Sequence, residues 1–515
     1  MFAATYGMAV IGLEAHLIRV EVDVANGLPS FDIVGLAATA VREARDRVRS
    51  AIRNSGFEFP LQRITVNLAP ADLRKDGSGL DLPIALGVLV ATGQCSAPEA
   101  DRYVFTGELS LEGALRSVPG VLTMALGLSR RDPAFTSSAK PILVVPPGNL
   151  AEARLIKDLE SCTAMTLGEL VEAVQGHTGF ADPELAAVTS AAADLPSVDL
   201  ADIHGQQQAK RALEIAAAGG HNLMLIGPPG SGKTLLARAM AGILPPLSES
   251  ESMEVTQIYS ATGLLAATGH LVAERPFRHP HHTATVAGVI GGGRDLRPGE
   301  LALANHGVLF LDELPEFSRE VLEALRQPLE DRVLTVTRHR GSVVYPARLS
   351  VIASMNPCPC GYYGDQGRVC VCTPRQIQAY RNRISGPVLD RFDLQVEVPR
   401  LTFGELQDSG GSESSSAVRE RVIRARERQW QRFGEAKTNA EMTARETKRL
   451  CRLDAWGQAL LRRVFDARGL SARAHDRILR VARTIADLAG HEEILPEHLA
   501  EALQFRVFDR EVTIS

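Results

Sequence analysis

The sequence predicts an α/β protein in three parts: an N-terminal α/β unit, a central α/β core with a parallel sheet, and a C-terminal helical region. The core is predicted by a short apolar run at residues 223–226 that enters a glycine-rich loop, with apolar residues at helical spacing after it. A second apolar run, at residues 307–311, ends in two acidic residues. The C-terminal region is predicted because residues 440–508 are helical throughout.

The composition describes an ordinary globular chain. It has 515 residues, enough for about three domains. The sequence has no apolar run of about 20 residues that would span a membrane, and its first residues lack the basic segment of a signal peptide. Seven cysteines, an odd number, argue against a secreted disulfide framework, so we expect a cytoplasmic protein. The net charge of −5 means that any nucleic-acid binding must come from local basic patches.

Residues 1–180 are expected to form the first α/β unit. Alternating valines at residues 20–24 predict a half-buried strand, and a second strand is predicted at residues 64–68. Helices are predicted at residues 41–52 and 82–90, a hairpin at residues 103–118, and a buried strand at residues 142–145. Residues 181–198 are expected to be a linker before a core at residues 199–400.

The glycine-rich loop between the first core strand and its helix has the pattern G-x-x-x-x-G-K-T. Its glycines allow backbone N–H groups to approach phosphates, and the helix that follows adds the positive end of its dipole. We therefore predict an ATP site in which Lys233 reaches the β- and γ-phosphates and Thr234 holds Mg²⁺. The predicted nucleotide-binding residues are Gly227, Pro228, Pro229, Gly230, Ser231, Gly232, Lys233 and Thr234.

The two acids after the second core strand complete the predicted chemistry. Asp312 at the strand end would hold Mg²⁺ through water, and Glu313 would polarise the attacking water. An insertion between the two motifs carries Arg275, Arg278, three histidines at residues 279–282, and Arg294 in a glycine loop. It favours a nucleic-acid contact or a nucleotide-sensing loop, with a metal site and a plain structural role as alternatives.

A β-hairpin with a basic tip is predicted next. Two β-rich arms surround Arg338, His339 and Arg340, which we interpret as a DNA contact, the alternative being a solvated basic turn. The following strand ends at Asn356, which could orient the attacking water or sense the γ-phosphate, or simply cap a turn.

Four of the seven cysteines follow within fifteen positions: Cys358, Cys360, Cys370 and Cys372. Tight turns at the intervening glycines would bring four thiolates together for a structural Zn²⁺. The alternative is a loop with reduced cysteines.

The end of the core and the C-terminal region are rich in arginine. Arg391 lies between Asp390 and Asp393, with which it could form an intramolecular pair. Residues 401–439 are expected to be a polar linker and an arginine-rich helix with a solvated face, and residues 440–515 a helical lid. Arg473 begins a helix of this lid and could reach a nucleotide phosphate.

This ordered set of motifs resembles the magnesium-chelatase-like AAA+ ATPases of the ComM (YifB) type, over essentially the whole chain. The resemblance implies ATP bound between the subunits of a hexameric ring. It implies that Lys233 and Thr234 bind phosphate and Mg²⁺, that Asp312 and Glu313 serve metal and water, and that Asn356 is the first sensor. It further implies that Arg391 is the arginine finger for a neighbouring subunit and Arg473 the second sensor. For this family the implied activity is ATP-driven branch migration of DNA, single-stranded or branched, without sequence preference, during uptake and recombination of foreign DNA.

The N-terminal unit resembles the Lon-type protease fold, a ribosomal-S5-like domain, through residues 75–81 and 106–113. The protease needs a serine nucleophile and a lysine base. The resemblance places Gly79 or Ser78 at the nucleophile and Leu122 at the lysine, so we expect a non-proteolytic copy. Two alternative functions remain: the ATPase motor subunit of a magnesium chelatase, and an ATP-dependent protease, which Leu122 disfavours.

Overall fold

The structure is a computed structural model of the chain. It describes residues 1–35, 39–73, 75, 77–97, 99–130, 140–182, 198–265, 270–293, 296–338, 341–365, 367–407, 413–468 and 470–506. Among these residues, no helix combines the length and the apolar character needed to cross a bilayer.

The N-terminal part is a seven-stranded mixed sheet with helices packed against it. Its strands are β1 (Phe2–Ile11), β2 (Glu14–Ala25), β3 (Ser30–Val34), β4 (Arg63–Ala69), β5 (Tyr103–Phe105), β6 (Glu108–Leu109), β7 (Leu115–Arg116), β8 (Ile142–Val145) and β9 (Glu160–Thr163). Its helices are α1 (Thr39–Asn54), α2 (Asp81–Ala91), α3 (Val121–Ser129), α4 (Pro147–Ala153) and α5 (Leu167–Val174). The sheet order is β3-β4-β2-β1-β5-β8-β9, and β6 pairs separately with β7. Helix α2 is apolar on nearly all sides because it packs between β1, β2 and α1.

The predicted hairpin at residues 103–118 is only partly correct. Residues Tyr103–Phe105 join the large sheet instead, in parallel between β1 and β8. The antiparallel ladder is confined to Glu108–Leu109 and Leu115–Arg116. Val104 and Phe105 are fully buried, so burial in the larger sheet outweighs local hairpin pairing.

The central part is built on a five-stranded sheet in the order β11-β14-β17-β10-β18, and every pairing in it is parallel. The strands of the central part are β10 (Leu223–Ile226), β11 (Phe277–Arg278), β12 (Gly291–Gly292), β13 (Arg297–Pro298), β14 (Val308–Leu311), β15 (Val333–Arg338), β16 (Gly341–Pro346), β17 (Ser350–Met355) and β18 (Leu394–Glu397). Its helices are α6 (Gln207–Gly219), α7 (Lys233–Ile243), α8 (Glu249–Thr262), α9 (Val286–Val289), α10 (Glu300–Leu303), α11 (Arg319–Ala324), α12 (Arg326–Asp331), α13 (Pro374–Arg381), α14 (Gly386–Leu389) and α15 (Phe403–Gln407). All residues of β10, β14 and β17 are buried, which explains the uninterrupted apolar runs of β10 and β14; β17 is apolar except for Ser350 and Ser354.

The predicted basic-tipped hairpin is confirmed as an antiparallel pair, β15 with β16. Its inner face is apolar, with Leu334 and Val336 buried on one strand and Tyr345 on the other. The Tyr345 hydroxyl donates to the Leu296 carbonyl oxygen at 2.6 Å, which fixes the hairpin to the core. Only residues 347–349 separate the hairpin from β17, the strand that leads to the sensor position.

The C-terminal part consists of helices: α16 (Ser415–Phe433), α17 (Ala444–Leu450), α18 (Ala455–Arg468), α19 (Ala472–Ala489) and α20 (Pro496–Gln504). Helix α16 packs against α6, α7 and α19, so the prediction of a solvated arginine-rich face is only partly correct: Arg424 and Arg428 are exposed, but other arginines of the helix are not. Arg426 is buried and donates to the Ala217 carbonyl oxygen at 2.7 and 3.0 Å, and Arg419 donates to the Gly242 carbonyl oxygen. The last carbonyls of a helix lack intrahelical donors, and these arginines supply them for α6 and α7.

The N-terminal and central parts are in contact through α3 and α8. The Gly120 N–H donates to the Ser260 carbonyl oxygen at 2.9 Å, and the Gln257 side chain donates to the Leu13 carbonyl oxygen at 2.9 Å. The turn that joins β1 to β2 also lies against the hairpin, because a Cβ on Gly12 would overlap the Val343 side chain. The N-terminal part therefore contacts both α8, through α3 and the β1–β2 turn, and the hairpin, through that same turn.

Candidate functional site

The glycine-rich loop joins the end of β10 to the start of α7, as its pattern predicts. Gly230 and Gly232 have φ angles of 76° and 91°, a region that side chains with a Cβ rarely adopt. A Cβ on Gly227 would overlap the backbone oxygen of Val398, the residue directly after β18, which neighbours β10. These constraints explain why glycine stands at three of the loop positions.

Lys233 lies at the first turn of α7 and folds back over the loop. Its Nζ donates to the carbonyl oxygens of Gly227 at 2.8 Å and Pro228 at 2.9 Å. Burial lowers the pKa of Lys233, and the nearby carboxylates of Asp312 and Glu313 oppose that shift. The ammonium group is thus held beside the loop, within the field of both acids.

Asp312 and Thr234 face each other across neighbouring elements. The Thr234 hydroxyl donates to Asp312 Oδ2 at 3.4 Å, and the Ser354 hydroxyl donates to Asp312 Oδ1. Hydroxyl and carboxylate oxygens are the ligands that Mg²⁺ prefers, so this pair suits a magnesium ion bound with a phosphate. The parallel register of Leu311 with Ala353 brings these groups to the same edge of the sheet.

Glu313 projects from a strained backbone at that edge. Its φ angle is 54°, and its N–H donates to Asp312 Oδ1 at 3.1 Å and to Ser354 Oγ at 3.4 Å. Its side chain is 53% exposed, and one carboxylate oxygen lies 3.4 Å from His282 Nδ1. The carboxylate can therefore reach a solvent molecule at the sheet edge while it is restrained by one histidine.

The histidines of the insertion lie at this same edge, since β11 is the strand next to β14. His279 packs its ring 4.8 Å from the Phe310 ring, and burial lowers its pKa. The rings of His281 and His282 are 4.1 Å apart, and His282 contacts Glu313. Of the interpretations left open for the insertion, this contact favours the nucleotide-sensing loop. Arg278 pairs with Glu300 at 2.6 Å, Arg275 with Glu251 at 3.0 Å, and Arg294 lies outside the described residues.

Asn356 follows β17 directly, and β17 lies between the strands that carry the glycine-rich loop and the two acids. The Gly227 N–H donates to the Met355 carbonyl oxygen at 3.1 Å, so this strand end is tied to the loop. Asn356 is half-buried beside the two motifs. The location suits either of the chemical roles considered for it.

Arg391 lies at the end of the parallel strands opposite to the end that carries the glycine-rich loop. Its backbone carbonyl accepts from Asn222 Nδ2 at 3.0 Å, and Asn222 precedes β10, whereas the glycine-rich loop follows that strand. The predicted alternative of a pair with Asp390 or Asp393 is wrong. The guanidinium of Arg391 pairs with Glu330, and Arg477 faces the two aspartates at 3.7 and 3.3 Å.

Arg473 and Arg391 line the same cavity, which has a volume of about 690 Å³. The cavity is lined by more cationic than acidic residues, the acids being Glu330, Asp393, Glu435, Glu441 and Asp476. Its other cationic lining residues are Arg332, Arg348, Lys437, Arg477 and Arg480. None of the described residues that line it belongs to the glycine-rich loop, so the two arginines share a surface away from their own nucleotide site.

The four cysteines come together as the sequence predicted. Their sulfur atoms all lie within 4.8 Å of one another, and three pairs are separated by 3.4, 3.6 and 3.7 Å. Four sulfurs at about 2.3 Å around a tetrahedral Zn²⁺ would be about 3.8 Å apart, so this donor set fits zinc. N–H donation from Tyr362 lowers the pKa of the Cys360 thiol to about 6, which favours a thiolate there. We call residues 358–372 the cysteine loop.

Two further sets of predicted residues are less informative. The side chain of Arg338 and the whole of His339 and Arg340 lie outside the described residues. In the N-terminal part, the Ser78 hydroxyl donates to Glu108, and Leu122 is fully buried in α3. A buried leucine cannot act as a base, and the Lon-like assignment of this part stays a prediction.

Sequence reasoning missed Ser354, His282 and the arginines that surround the cavity. Ser354 could have been found, because it is a polar residue two positions before Asn356 on a strand predicted to be buried. His282 was noticed only as one of three histidines, since nothing local in the sequence indicates that β11 neighbours β14. Arg477 carries no local signal for its contacts with Asp390 and Asp393.

Comparisons with known proteins agree with this arrangement along the whole chain. The family model described as "Magnesium chelatase, subunit ChlI" matches residues 199–406. The models "Subunit ChlI of Mg-chelatase" and "Magnesium chelatase, subunit ChlI C-terminal" match residues 20–137 and 412–506.

Full-length relatives are also found. The chain is 45% identical to the competence protein ComM of Haemophilus influenzae, over 99% of this chain and 98% of that protein. It is 45% identical to the uncharacterized protein YifB of Salmonella typhimurium, over 99% of this chain and 97% of that protein. A more distant relative is the magnesium-chelatase 38 kDa subunit of Cereibacter sphaeroides, 26% identical over 38% of this chain and 57% of that protein.

Proposed function

Because the chain belongs to the magnesium-chelatase-like family of the ComM/YifB type, we propose that it is a ring-forming AAA+ ATPase that remodels DNA. Its most specific activity in this proposal is the ATP-driven migration of branched DNA during integration of foreign DNA. The observation that carries the ATPase is the convergence of Thr234, Asp312 and Glu313 at one edge of the parallel sheet.

Each group at that edge has a distinct task in hydrolysis. Lys233 would neutralise charge on the β- and γ-phosphates, and Thr234 and Asp312 would hold a Mg²⁺ that supplies further positive charge to the phosphates. Glu313 accepts hydrogen bonds from the attacking water and draws its proton away, while Asn356 orients that water against the γ-phosphate. Ser354 positions Asp312 by donating to its second carboxylate oxygen.

Arg391 and Arg473 complete the site of a neighbouring subunit. Both line a cavity that none of the described loop residues reaches, which supports a role in trans for the pair. Positive charge delivered from outside stabilises the charge that develops on the transferred phosphoryl group. ATP would therefore bind between subunits, and a closed ring, hexameric by family resemblance, satisfies every interface.

The DNA part of the proposal rests on the hairpin β15–β16. It is fixed to the core by Tyr345 and is followed within a few residues by the strand that ends at Asn356. A change at the γ-phosphate can thus displace the hairpin. A ring would repeat its basic tip, Arg338 to Arg340, around one axis, and such a charge cluster binds phosphates without sequence preference. A link to recombination is further supported by the name of the Haemophilus relative, a competence protein.

The test measures ATP hydrolysis with no DNA, single-stranded DNA, duplex DNA and a three-stranded junction. DNA should raise the turnover number, and the junction should be resolved in an ATP-dependent manner. Replacing Arg338 and Arg340 with alanine should leave DNA-free hydrolysis and assembly unchanged and abolish junction migration. The matched control replaces Arg462 and Arg463, two exposed arginines of α18, and should migrate junctions normally.

The second candidate is a magnesium-chelatase motor subunit, which the family descriptions favour. Such a subunit would hydrolyse ATP with no response to DNA and would drive metal insertion with partner subunits. An ATP-dependent protease is disfavoured because Leu122 stands where the base is expected and is buried. Turnover that none of the DNAs changes would favour the chelatase candidate over the proposal.

A further inference from the structure

The tip of the cysteine loop presents apolar side chains to solvent. Val369 is 89% exposed and Val371 is 82% exposed, and they flank Cys370, one of the four clustered cysteines. The cluster therefore turns these side chains outward while its own sulfurs stay underneath, since Cys358 is buried and the other three cysteines are half-buried. A loop that is held together by a cluster of four cysteines and exposes apolar residues at its tip is suited to contact another molecule.

Two tyrosines beside this tip are stacked with arginines. The Arg368 guanidinium lies 5.1 Å from the centre of the Tyr362 ring and donates to the Tyr362 hydroxyl at 2.9 Å. The Arg381 guanidinium lies 5.6 Å from the centre of the Tyr363 ring, and Tyr363 is 39% exposed. Proteins that bind single-stranded nucleic acids use such flat aromatic and guanidinium groups as surfaces on which the bases stack.

The same surface is basic in a chain whose net charge is −5. Residues 358–383 contain four arginines, at positions 368, 375, 381 and 383, and one acidic residue, Asp365. Arg383 pairs with Glu316 at 2.8 Å, whereas the Asp365 carboxylate is only 3% exposed and lies 3.6 Å from Arg400, so it does not offset the other surface arginines. Arg368 and Arg375 are exposed and positioned to contact a phosphate backbone.

The loop is also in contact with the nucleotide site. Cys358 follows Asn356 by two residues, and Gly361 packs on the glycine-rich loop. A Cβ on Gly361 would lie 2.6 Å from Pro229 Cδ and 3.9 Å from the Asn356 side chain. A shift of the phosphate-binding residues is therefore transmitted to the loop through direct packing.

We propose that the cysteine loop is a second DNA-contact element, which binds single-stranded DNA by stacking bases on Tyr362 and Tyr363 and by pairing phosphates with Arg368 and Arg375. This inference rests on the proposed function, because it names a second surface for the same substrate. A neighbouring subunit is the other candidate occupant. Single-stranded DNA is favoured by charge complementarity, because the patch presents exposed arginines and the carboxylate of its one acidic residue, Asp365, is buried.

Photochemical crosslinking of the wild-type protein gives the direct test. The protein is mixed at low salt with a non-hydrolysable ATP analogue and an oligo-dT strand that carries iodo-deoxyuridine at one position, which is varied along the strand. The complex is irradiated, and the crosslinked peptides are mapped. Crosslinks to Tyr362 or Tyr363 are expected. Crosslinks confined to the hairpin β15–β16, with none in residues 358–383, would overturn the inference while leaving the proposed function intact.

Binding measurements provide the second test. The double variant Tyr363→Ala, Arg368→Ala should bind fluorescent oligo-dT about tenfold more weakly, because it loses one stacking contact and one phosphate contact. The matched control, Trp456→Ala with Arg462→Ala, removes an exposed aromatic and an exposed arginine from α18 and should bind normally. Zinc content and thermal unfolding establish that both variants are folded.

The outcomes separate the two proposals. Wild-type protein that binds none of the DNAs contradicts the proposed function itself. Wild-type protein that binds, with a folded double variant of equal affinity, contradicts the inference alone. A double variant that no longer assembles into rings in the absence of DNA would show that the surface contacts a neighbouring subunit, which also overturns it. If the double variant does not fold, the crosslinking experiment decides.

Discussion

Replacement of Arg391 by alanine should abolish ATP hydrolysis and leave the chain folded. The guanidinium is 8% exposed, but its partner Glu330 is 54% exposed, so the ion pair lies at the surface of the cavity. Loss of such a pair costs about 1 kcal/mol of folding free energy, because water solvates the remaining carboxylate. Loss of an arginine finger, in contrast, lowers turnover about 10³-fold or more. The expected signature is a nearly unchanged unfolding temperature with ATP still bound and no turnover.

The assay that distinguishes trans from cis action mixes Arg391→Ala chains with Lys233→Ala chains. A productive interface then needs an intact glycine-rich loop from one chain type and an intact finger from the other. Random mixing in equal amounts gives about a quarter of the interfaces this composition, so activity should return to a corresponding fraction of the wild-type rate. If Arg391 served its own subunit, every chain would carry a lesion and no activity would return.

The control for this experiment is Glu330→Gln, which removes the intramolecular partner and keeps the finger. It should retain wild-type turnover if Arg391 acts on a neighbour's phosphate. Two results would refute the reasoning: a mixture whose rate stays at the sum of the separate mutants while rings still form, or a Glu330→Gln variant as inactive as Arg391→Ala.

Three further predictions concern the site. Lys233→Ala should prevent ATP binding or turnover, whereas Glu313→Gln should keep ATP binding, measured with a fluorescent analogue, and block hydrolysis; wild-type turnover in either contradicts the assignment. Elemental analysis should find about one zinc per chain, and Cys360→Ser should lower both the zinc content and the unfolding temperature. A folded wild-type protein that contains no metal and is no more stable than Cys360→Ser would contradict the zinc site. His282→Ala should raise DNA-free turnover about fivefold, because Glu313 is released from a polar contact worth about 1 kcal/mol; lower turnover with unchanged KM would mean that His282 positions Glu313 for catalysis.

The parts of the fold that the sequence predicted share one property: their burial is visible locally. Strands β10, β14 and β17 are buried along their whole length; β10 and β14 therefore appear as uninterrupted apolar runs, and β17 as a run broken only by two small serines. The glycine-rich loop was equally predictable from the sequence, because its positive φ angles are rarely adopted by residues other than glycine. The cysteine cluster was predictable since its four ligands lie close together in the chain and need only tight turns to meet.

The errors arose where a distant element decides the environment of a segment. The arginines of α16 look solvated by composition, yet Arg419 and Arg426 bond the carbonyl ends of α6 and α7, which lie some two hundred residues earlier. Residues Tyr103–Phe105 look like one arm of a hairpin, yet the large sheet offers them two parallel neighbours and complete burial of Val104 and Phe105. Helix and strand periodicity cannot indicate such partners, because they are set by the tertiary fold.

The positions of Arg391 and Arg473 support action on a neighbouring subunit, which the sequence motifs alone could not indicate. The Arg391 backbone is bonded to Asn222 before β10, and the glycine-rich loop begins after that strand, so roughly 15 Å of extended chain separates them. That distance exceeds the reach of an arginine side chain, and Arg473 shares the Arg391 cavity. Under the proposed mechanism a single subunit therefore lacks a complete site. Turnover per chain should rise with protein concentration and level off when rings are complete; a rate per chain that is independent of concentration well below the assembly range would mean that the site is completed from within one chain.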